Sequence, residues 1–139
     1  MVSLIPLNRT EGRALWAKLW PDCAYPRLST KWFEARIGKQ VIGWCCCRYL
    51  SSRPGREAIL ISEGAYVAPN FRGRGLQNEI RQAMADRYRS PGSKRKITVQ
   101  TYVNATNIGS LKNCVRAGLV PYKVLREGAE VFIHLEGKL

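Results

Sequence analysis

Residues 66–77 read Tyr66-Val67-Ala68-Pro69-Asn70-Phe71-Arg72-Gly73-Arg74-Gly75-Leu76-Gln77. In this stretch a strand-like segment is stopped by a proline, and a helix-like segment begins directly after the last glycine. Glycine lets a backbone approach a ligand closely, and the unpaired amides of a first helical turn attract negative charge. The stretch therefore predicts an anion-binding junction that suits a pyrophosphate.

The composition limits what this junction can belong to. The chain has 139 residues, of which 45% are hydrophobic, and its formal net charge is +13. This length predicts a single domain over residues 1–139, and the charge indicates affinity for polyanions such as cofactor phosphates or nucleic acid. No apolar stretch resembles a signal peptide or is long enough to span a bilayer, so we expect a cytoplasmic protein with no membrane partner.

The cysteines favour the same compartment. There are five, and Cys45, Cys46 and Cys47 are consecutive on a predicted strand, where alternation points neighbouring side chains to opposite faces. Disulfides between neighbours are therefore disfavoured, and no second pair of ligands is present to complete a zinc site. We expect free thiols and no bound metal.

Periodicity and turn residues predict the order of the elements. They predict a helix over roughly 10–20, two strands between 31 and 50 joined at Gly38-Lys39, a strand over 58–67, a helix from Leu76, a strand over 97–103, a helix from Ile108 to Gly118, and strands over 119–126 and 130–135. This order predicts a mixed α/β sheet with helices packed on it.

Several short motifs in this order resemble a known family. They are Val67-Ala68-Pro69, then Arg72-Gly73-Arg74-Gly75-Leu76-Gln77, and further on Asn107, Ser110 and Gly118-Leu119. Together they resemble the GCN5-related N-acetyltransferases, the GNAT superfamily, over roughly residues 58–120. The resemblance implies an α/β (α+β) fold with a mostly antiparallel sheet of six to seven strands, a central pair of parallel splayed strands, and flanking helices.

The same resemblance implies a site for acetyl-coenzyme A between the strands near 58–67 and 97–103. The backbone near Val67 and Ala68 would bond the pantetheine arm, the amides of residues 72–77 would hold the pyrophosphate, and Asn107 would contact the arm. The cofactor-binding residues that it implies are Val67, Ala68, Arg72, Gly73, Arg74, Gly75, Leu76, Gln77, Asn107 and Ser110.

Two residues depart from the family pattern. Gln77 stands where the motif usually has glycine or alanine, so its side chain must turn away from the phosphates or bond to them. Cys114 stands where many members carry a tyrosine that returns a proton to the coenzyme A thiolate. A thiol can donate this proton, but Cys114 also lies on an apolar stripe with Leu111, which favours core packing.

Acetyl transfer to an amine requires a base that removes a proton from the amine. Glu63 is the candidate, because it lies in an otherwise apolar strand where burial would raise its pKa. Alternatively, Gly64 marks a bulge and Glu63 faces solvent or pairs with an arginine. Glu57, at the start of the same strand, is a weaker candidate.

The segment from 72 to 96 has a surplus of basic residues. It contains Arg72, Arg74, Arg81, Arg87, Arg89, Lys94, Arg95 and Lys96 against Glu79 and Asp86. Arg72 and Arg74 belong to the glycine loop, and the apolar stripe of the helix that begins at Leu76 leaves the other basic residues on its solvated faces and in the loop after it. They indicate either an ordinary solvated surface or a contact with a polyanion.

Three functional hypotheses follow. The first is an N-acetyltransferase that moves the acetyl group of acetyl-coenzyme A to a primary amine by direct attack in a ternary complex. The second is a protein of this fold that acts on nucleic acid, by acetylating an aminoacyl-tRNA or modifying a base. The third is a coenzyme A-binding protein without catalysis, which the residues Gln77 and Cys114 favour. In all three, the C-terminal strands are expected to offer an edge for a homodimer.

Overall fold

The computed structural model describes residues 1–23, 29–50 and 57–139. Its elements are β1 (Val2–Leu7), α1 (Arg9–Leu19), β2 (Lys31–Ile37), β3 (Gln40–Leu50), β4 (Ile59–Val67), a 3-10 turn (Pro69–Phe71), α2 (Leu76–Tyr88), β5 (Thr98–Asn104), α3 (Ile108–Arg116), β6 (Val120–Glu127) and β7 (Glu130–Lys138). The seven strands form one sheet in the order β1-β2-β3-β4-β5-β7-β6. The predicted mixed sheet with flanking helices is confirmed.

One pair of neighbouring strands, β4 and β5, is parallel, and the other neighbouring pairs in this sheet are antiparallel. Pairing between β4 and β5 runs from Ile59 opposite Thr98 to Ser62 opposite Thr101. Beyond Ser62 both strands continue without pairing to each other, because β4 stays paired with β3 and β5 stays paired with β7. The sheet therefore opens into a gap at its centre, as the predicted splayed pair requires.

The helices cover opposite faces of the sheet. Cys46 packs with Trp16 of α1 and Trp32 of β2. Its neighbours Cys45 and Cys47 pack on the other face with residues of α2 such as Ile80. This alternation assigns α1 to one face and α2 to the other. The contact between α2 and α3 places α3 on the same face as α2.

One strand was not predicted, and the end of another was predicted too early. Strand β1 was missed, because the predicted elements begin with the first helix. β1 is a short edge strand that contains Pro6, and among the described strands it pairs only with β2, so its extended form depends on a partner that follows it in the chain. Strand β7 continues to Lys138 because it lies between β5 and β6 and pairs with both.

Other features of the described residues bear on the function. No helix in them is long and apolar enough to cross a membrane, and no three His, Cys, Asp or Glu side chains in them are grouped as metal ligands. The five cysteines are free thiols, and Cys23 is the exposed one. Strand β6 forms one edge of the sheet with Val120, Tyr122 and Val124 exposed, and its use in a homodimer stays a prediction.

Two helical glycines offer a matched test of how α1 packs. A Cβ at Gly12 would lie 2.3 Å from Cδ1 of Trp32, whereas a Cβ at Gly109 of α3 would meet nothing within 4 Å. We expect Gly12→Ala to lower the free energy of unfolding by about 1–3 kcal/mol through overpacking. Gly109→Ala should raise it by up to about 1 kcal/mol through helix propensity. Urea unfolding of both variants measures this, and equal effects would contradict the close contact between α1 and β2.

Candidate active site

Two carbonyl groups of β4 face the gap between β4 and β5. The carbonyl of Ala65 accepts a hydrogen bond from Nε2 of Gln77 at 3.0 Å, and the carbonyl of Val67 accepts one from Nε of Arg72 at 3.0 Å. Both carbonyls lie beyond the last residue that pairs with β5. Side chains thus supply the donors that a neighbouring strand would supply, and a ligand bearing amides can replace them.

The glycine loop is open toward the same gap. Gly73 and Gly75 have φ angles of 80° and 73°, in the left-handed region that favours glycine. Gly75 is the N-cap of α2, and no side chain of residues 1–23, 29–50 or 57–139 caps this helix. Within the same ranges, a Cβ at either glycine would meet nothing within 4 Å. The amides at the start of α2 therefore face open space, which fits the anion-binding role predicted for the loop.

A cavity of about 570 Å³, which we call the outer cavity, lies in front of this loop. It is lined by the ends of α1 and β4 and by the starts of α2 and α3, including Trp20, Val67, Arg72, Gly73, Gly75, Leu76, Gln77, Asn107, Ser110, Asn113 and Arg116. Ala68 and Arg74 are not in this lining: the amide of Ala68 donates to Ile42, and Arg74 lies over the Phe71 ring at 5.8 Å. The structure thus brings eight of the ten predicted cofactor residues together.

The start of α3 is shaped by its cap. Oδ1 of Asn107 accepts a hydrogen bond from the amide of Ser110 at 3.2 Å, so Asn107 is the N-cap of this helix. Both residues line the outer cavity. Asn113 and Arg116 were not among the predicted site residues. They lie on the next turns of α3 and bring an amide and a cation to the same cavity.

Gln77 connects β4 to α3 across the gap. Besides its bond to Ala65, its Oε1 accepts hydrogen bonds from Nδ2 of Asn113 at 3.2 Å and from Oγ of Ser110 at 3.4 Å. Of the two alternatives for this departure from the motif, the side chain has turned away from the glycine loop and into the gap.

A second cavity of about 280 Å³, which we call the inner cavity, continues from the outer one. Its walls include Trp16 of α1 and the C-cap residue Trp20, together with Gln77 and Arg81 of α2. Since α1 and α2 cover opposite faces, the inner cavity passes through the sheet at the gap. The two cavities share Trp20, Ala65, Gln77, Asn107 and Ser110.

Glu63 lies in the wall of the inner cavity and is 9% exposed. It is the extra residue of a β-bulge, because Gly64 faces Cys46 while Ser62 faces Cys47. Its carboxylate forms an ion pair with Arg48 and accepts a hydrogen bond from Oγ1 of Thr30 at 2.6 Å. The bulge and the arginine partner are therefore present, while the solvent-facing alternative was wrong.

Glu57, the weaker candidate for the base, lies outside both cavities. It pairs with Lys138, and this contact lowers the pKa of its carboxyl group.

Tyr102 is a cavity residue that the sequence analysis missed. It lies on β5 in the wall of the inner cavity, and burial together with the nearby Glu63 carboxylate raises the pKa of its phenol to about 12. The group is thus protonated at neutral pH and is a hydrogen-bond donor. Aromatic residues on strands are often packing residues, so the position of Tyr102 in the sequence does not indicate a functional role.

Cys114 lies in neither cavity wall. It is fully buried and packs with Val103, Leu119 and Leu135. Burial raises the pKa of its thiol. These surroundings favour the core-packing alternative for Cys114 over a role as proton donor.

Arg81 was predicted on a solvated face of α2, and this was wrong. The residue is 3% exposed and lines the inner cavity. Its Nη1 donates to Oδ1 of Asn78 at 3.0 Å, and its Nε has no acceptor in the part of the chain that the structure describes. The helical period alone places an arginine outward, because it contains no information on the gap in the sheet that α2 covers.

Known proteins share the family and the fold. Residues 3–114 match the family described as Acetyltransferase (GNAT) family, and no curated protein matches the chain by sequence. Naa50 of Arabidopsis thaliana in complex with the bisubstrate analogue CoA-Ac-MVNAL has a TM-score of 0.72 at 13% identity, with 99% of each chain covered. NAA60 of Arabidopsis thaliana in complex with acetyl-CoA has a TM-score of 0.71 at 11% identity, with 100% of this chain and 99% of that chain covered.

A polyamine enzyme is similar as well. The spermidine/spermine N-acetyltransferase SpeG from Vibrio cholerae has a TM-score of 0.68 at 13% identity, covering 99% of this chain and 92% of that one. At these identities the structures show the fold, whereas the sequence match spans most of the chain. The chain therefore belongs to the GNAT acetyltransferase family.

Proposed function

We propose that this protein transfers the acetyl group of acetyl-coenzyme A to a primary amine by direct attack in a ternary complex. The observation that carries the proposal is the continuous space through the sheet, which joins the open glycine loop at one end to the buried Glu63 carboxylate at the other. An acetyltransferase needs a site that binds the phosphates of the cosubstrate and a base near the transferred acetyl group.

The residues around the outer cavity fit coenzyme A. The amides at the start of α2 would hold the pyrophosphate, and Arg72 and Arg116 would add positive charge. The pantetheine amides would bond the carbonyls of Ala65 and Val67 in place of Gln77 and Arg72. This exchange replaces one hydrogen bond with another, so it changes the free energy little.

Bound acetyl-coenzyme A supplies an acetyl group activated as a thioester. The protein must then deliver a neutral amine, because an ammonium ion has no lone pair for the attack. Glu63 would accept the proton, directly or through a water molecule. Arg48 and Thr30 hold its carboxylate in place, and the bulge turns the side chain toward the cavity.

The acceptor would enter from the face covered by α1. With acetyl-coenzyme A bound in the outer cavity, the acceptor would contact the walls of the inner cavity, which include Trp16, Glu130 and Phe132. Apolar rings beside a carboxylate suit an amine that is cationic before it reacts. One similar protein is described in complex with the bisubstrate analogue CoA-Ac-MVNAL, and another is described as a spermidine/spermine N-acetyltransferase. Both descriptions are consistent with an acceptor that carries an amine.

The polyanion partner stays a prediction. Several of the basic residues between 72 and 96 have roles within the fold: Arg81 is buried, Arg87 lies over the Phe33 ring, and Arg89 pairs with Asp86. The surplus that motivated a nucleic-acid substrate is correspondingly smaller. We therefore propose acetyl transfer to an amine alone.

The activity itself is tested by coenzyme A release. Purified protein with acetyl-coenzyme A should release coenzyme A when a panel of amines, including peptides with free N-termini and polyamines, is added, and acetylated amine should form in equal amount. Mass spectrometry of the amines and a thiol reagent measure the two products. Binding of acetyl-coenzyme A without amine-dependent release would instead favour the binding protein without catalysis.

The phosphate-binding loop is tested with two glycines of similar backbone conformation. Gly75 and Gly92 have φ angles of 73° and 74°, and a Cβ at either meets nothing within 4 Å, but only Gly75 lines the outer cavity. Valine at each position introduces comparable backbone strain of about 1–2 kcal/mol. We expect Gly75→Val to weaken coenzyme A binding by about tenfold or more through lost amide contacts, and Gly92→Val to leave it unchanged. Calorimetric titration measures both, and equal affinities would contradict the assignment.

The role of Glu63 is tested by removing its charge. Glu63→Gln should lower kcat by about 100-fold or more, because a general base typically contributes that much. It also leaves the partly buried Arg48 without its counter-charge, which destabilises the fold. The double variant Arg48→Met, Glu63→Gln removes both charges and should recover stability but not rate. Steady-state kinetics across pH and thermal melting measure the two effects. Unchanged turnover with an unchanged pH profile would show that Glu63 is not the base.

A further inference from the structure

Arg81 is a buried cation without a carboxylate partner. Only 3% of it is exposed, and no Asp or Glu side chain among the described residues lies within ion-pair distance of its guanidinium. Residues 24–28 and 51–56 contain neither Asp nor Glu, so they hold no side-chain carboxylate for it either. Among the described residues its one side-chain acceptor is Asn78, and Nε has none.

Such an arrangement is unfavourable in the free protein. Burial without a counter-charge disfavours an ion, and burial accordingly lowers the pKa of Arg81. A guanidinium nevertheless stays charged at neutral pH. An anion brought into the cavity would therefore gain a desolvated partner, and the strongest hydrogen bonds are those in which both groups are charged.

The position of Arg81 indicates which anion this is. Arg81 lies one helical turn after Gln77, on the same face of α2, and Gln77 lines both cavities. Gln77 bonds the carbonyl of Ala65, so Arg81 lies further along the gap than the part of β4 proposed to hold the pantetheine arm. The end of that arm carries the sulfur atom, and the sulfur becomes anionic during the reaction.

The charge balance of the inner cavity makes this cation necessary. The other titratable groups in its walls are Glu63, Glu130, Tyr102 and Cys23. Cys114 of α3 lies close to Arg81 of α2, outside these walls. The carboxylates oppose a second negative charge, although Glu63 is compensated by Arg48. Among the described residues that line the inner cavity, Arg81 is the sole lysine or arginine.

We infer that Arg81 stabilises the coenzyme A thiolate that leaves during acetyl transfer. The inference rests on the proposed function. As the amine nitrogen forms its bond to the acetyl carbon, the carbon–sulfur bond breaks and its electron pair stays on sulfur, while the proton lost by nitrogen passes to Glu63 or water. The guanidinium then balances the charge on sulfur, so the thiolate leaves without a proton donor at the position of Cys114.

The test compares the wild-type protein with Arg81→Met, Arg81→Lys and the control Arg89→Met. Arg89 is an arginine on the C-cap of the same helix, is bonded to Asp86 and to the carbonyl of Leu139, and lies outside both cavities. The first readout is the pKa of the thiol of bound coenzyme A, from the ultraviolet absorbance of the thiolate as a function of pH. The second is kcat and KM for a reactive amine.

In the wild-type protein and in Arg89→Met the bound thiol should have a pKa below that of free coenzyme A. In Arg81→Met we expect this pKa to be higher than in the wild-type protein by about one unit or more, and kcat to fall by about tenfold to 100-fold with KM for the amine unchanged. Arg81→Lys keeps the positive charge but lacks the planar guanidinium group with its several N–H donors. It should give a thiol pKa and a kcat between those of the wild-type protein and Arg81→Met. The melting temperature of Arg81→Met should equal or exceed that of the wild-type protein, since an unpaired buried charge is removed.

Three results would overturn the inference. One is an equal thiol pKa in wild-type protein and Arg81→Met with coenzyme A bound to both, which leaves the proposed function intact. Another is a raised KM for the amine in Arg81→Met with an unchanged thiol pKa, which would assign Arg81 to the acceptor. The third is a wild-type protein that does not bind coenzyme A, which would overturn the proposed function and this inference together.

Discussion

The site depends on one constraint, the end of the pairing between β4 and β5 at Ser62 and Thr101. Beyond these two residues, β4 stays paired with β3 and β5 stays paired with β7. The backbone groups of β4 and β5 that face each other at the centre of the sheet therefore have no partner on another of the described strands. Buried backbone groups need partners. The side chains of Arg72 and Gln77 meet this need at two carbonyls, and in doing so they keep a space open through the sheet that suits an extended, amide-bearing ligand.

This gap also separates two buried charges of opposite sign. Glu63 lies on β4 among residues that face α1, where Arg48 and Thr30 hold its carboxylate. Arg81 extends from α2 on the opposite face, and no carboxylate of the described residues pairs with it. The two ionic groups line one cavity without pairing with each other. In the proposed reaction a proton is removed at one and negative charge develops at the other, so their separation across the sheet matches the direction in which charge moves.

Sequence patterns predicted the features that depend on neighbouring residues. The glycine loop before α2 was found because the turn, the helix start and the anion-binding amides all lie within one short stretch. Strand β1 was missed because a short edge strand with a proline is stabilised mainly by its partner. Arg81 was misplaced because its burial depends on a gap formed by strands far from it in sequence, and the partners of Glu63 lie 15 and 33 residues away.

We propose that acetyl-coenzyme A binds in the gap between β4 and β5, along the free edge of β4 and at the start of α2. Amide hydrogen exchange with and without saturating acetyl-coenzyme A measures this binding residue by residue. We expect slower exchange at residues 64–67 and 73–78 on binding, with β1 and β6 unchanged. Saturating binding with unchanged exchange at both segments would contradict it.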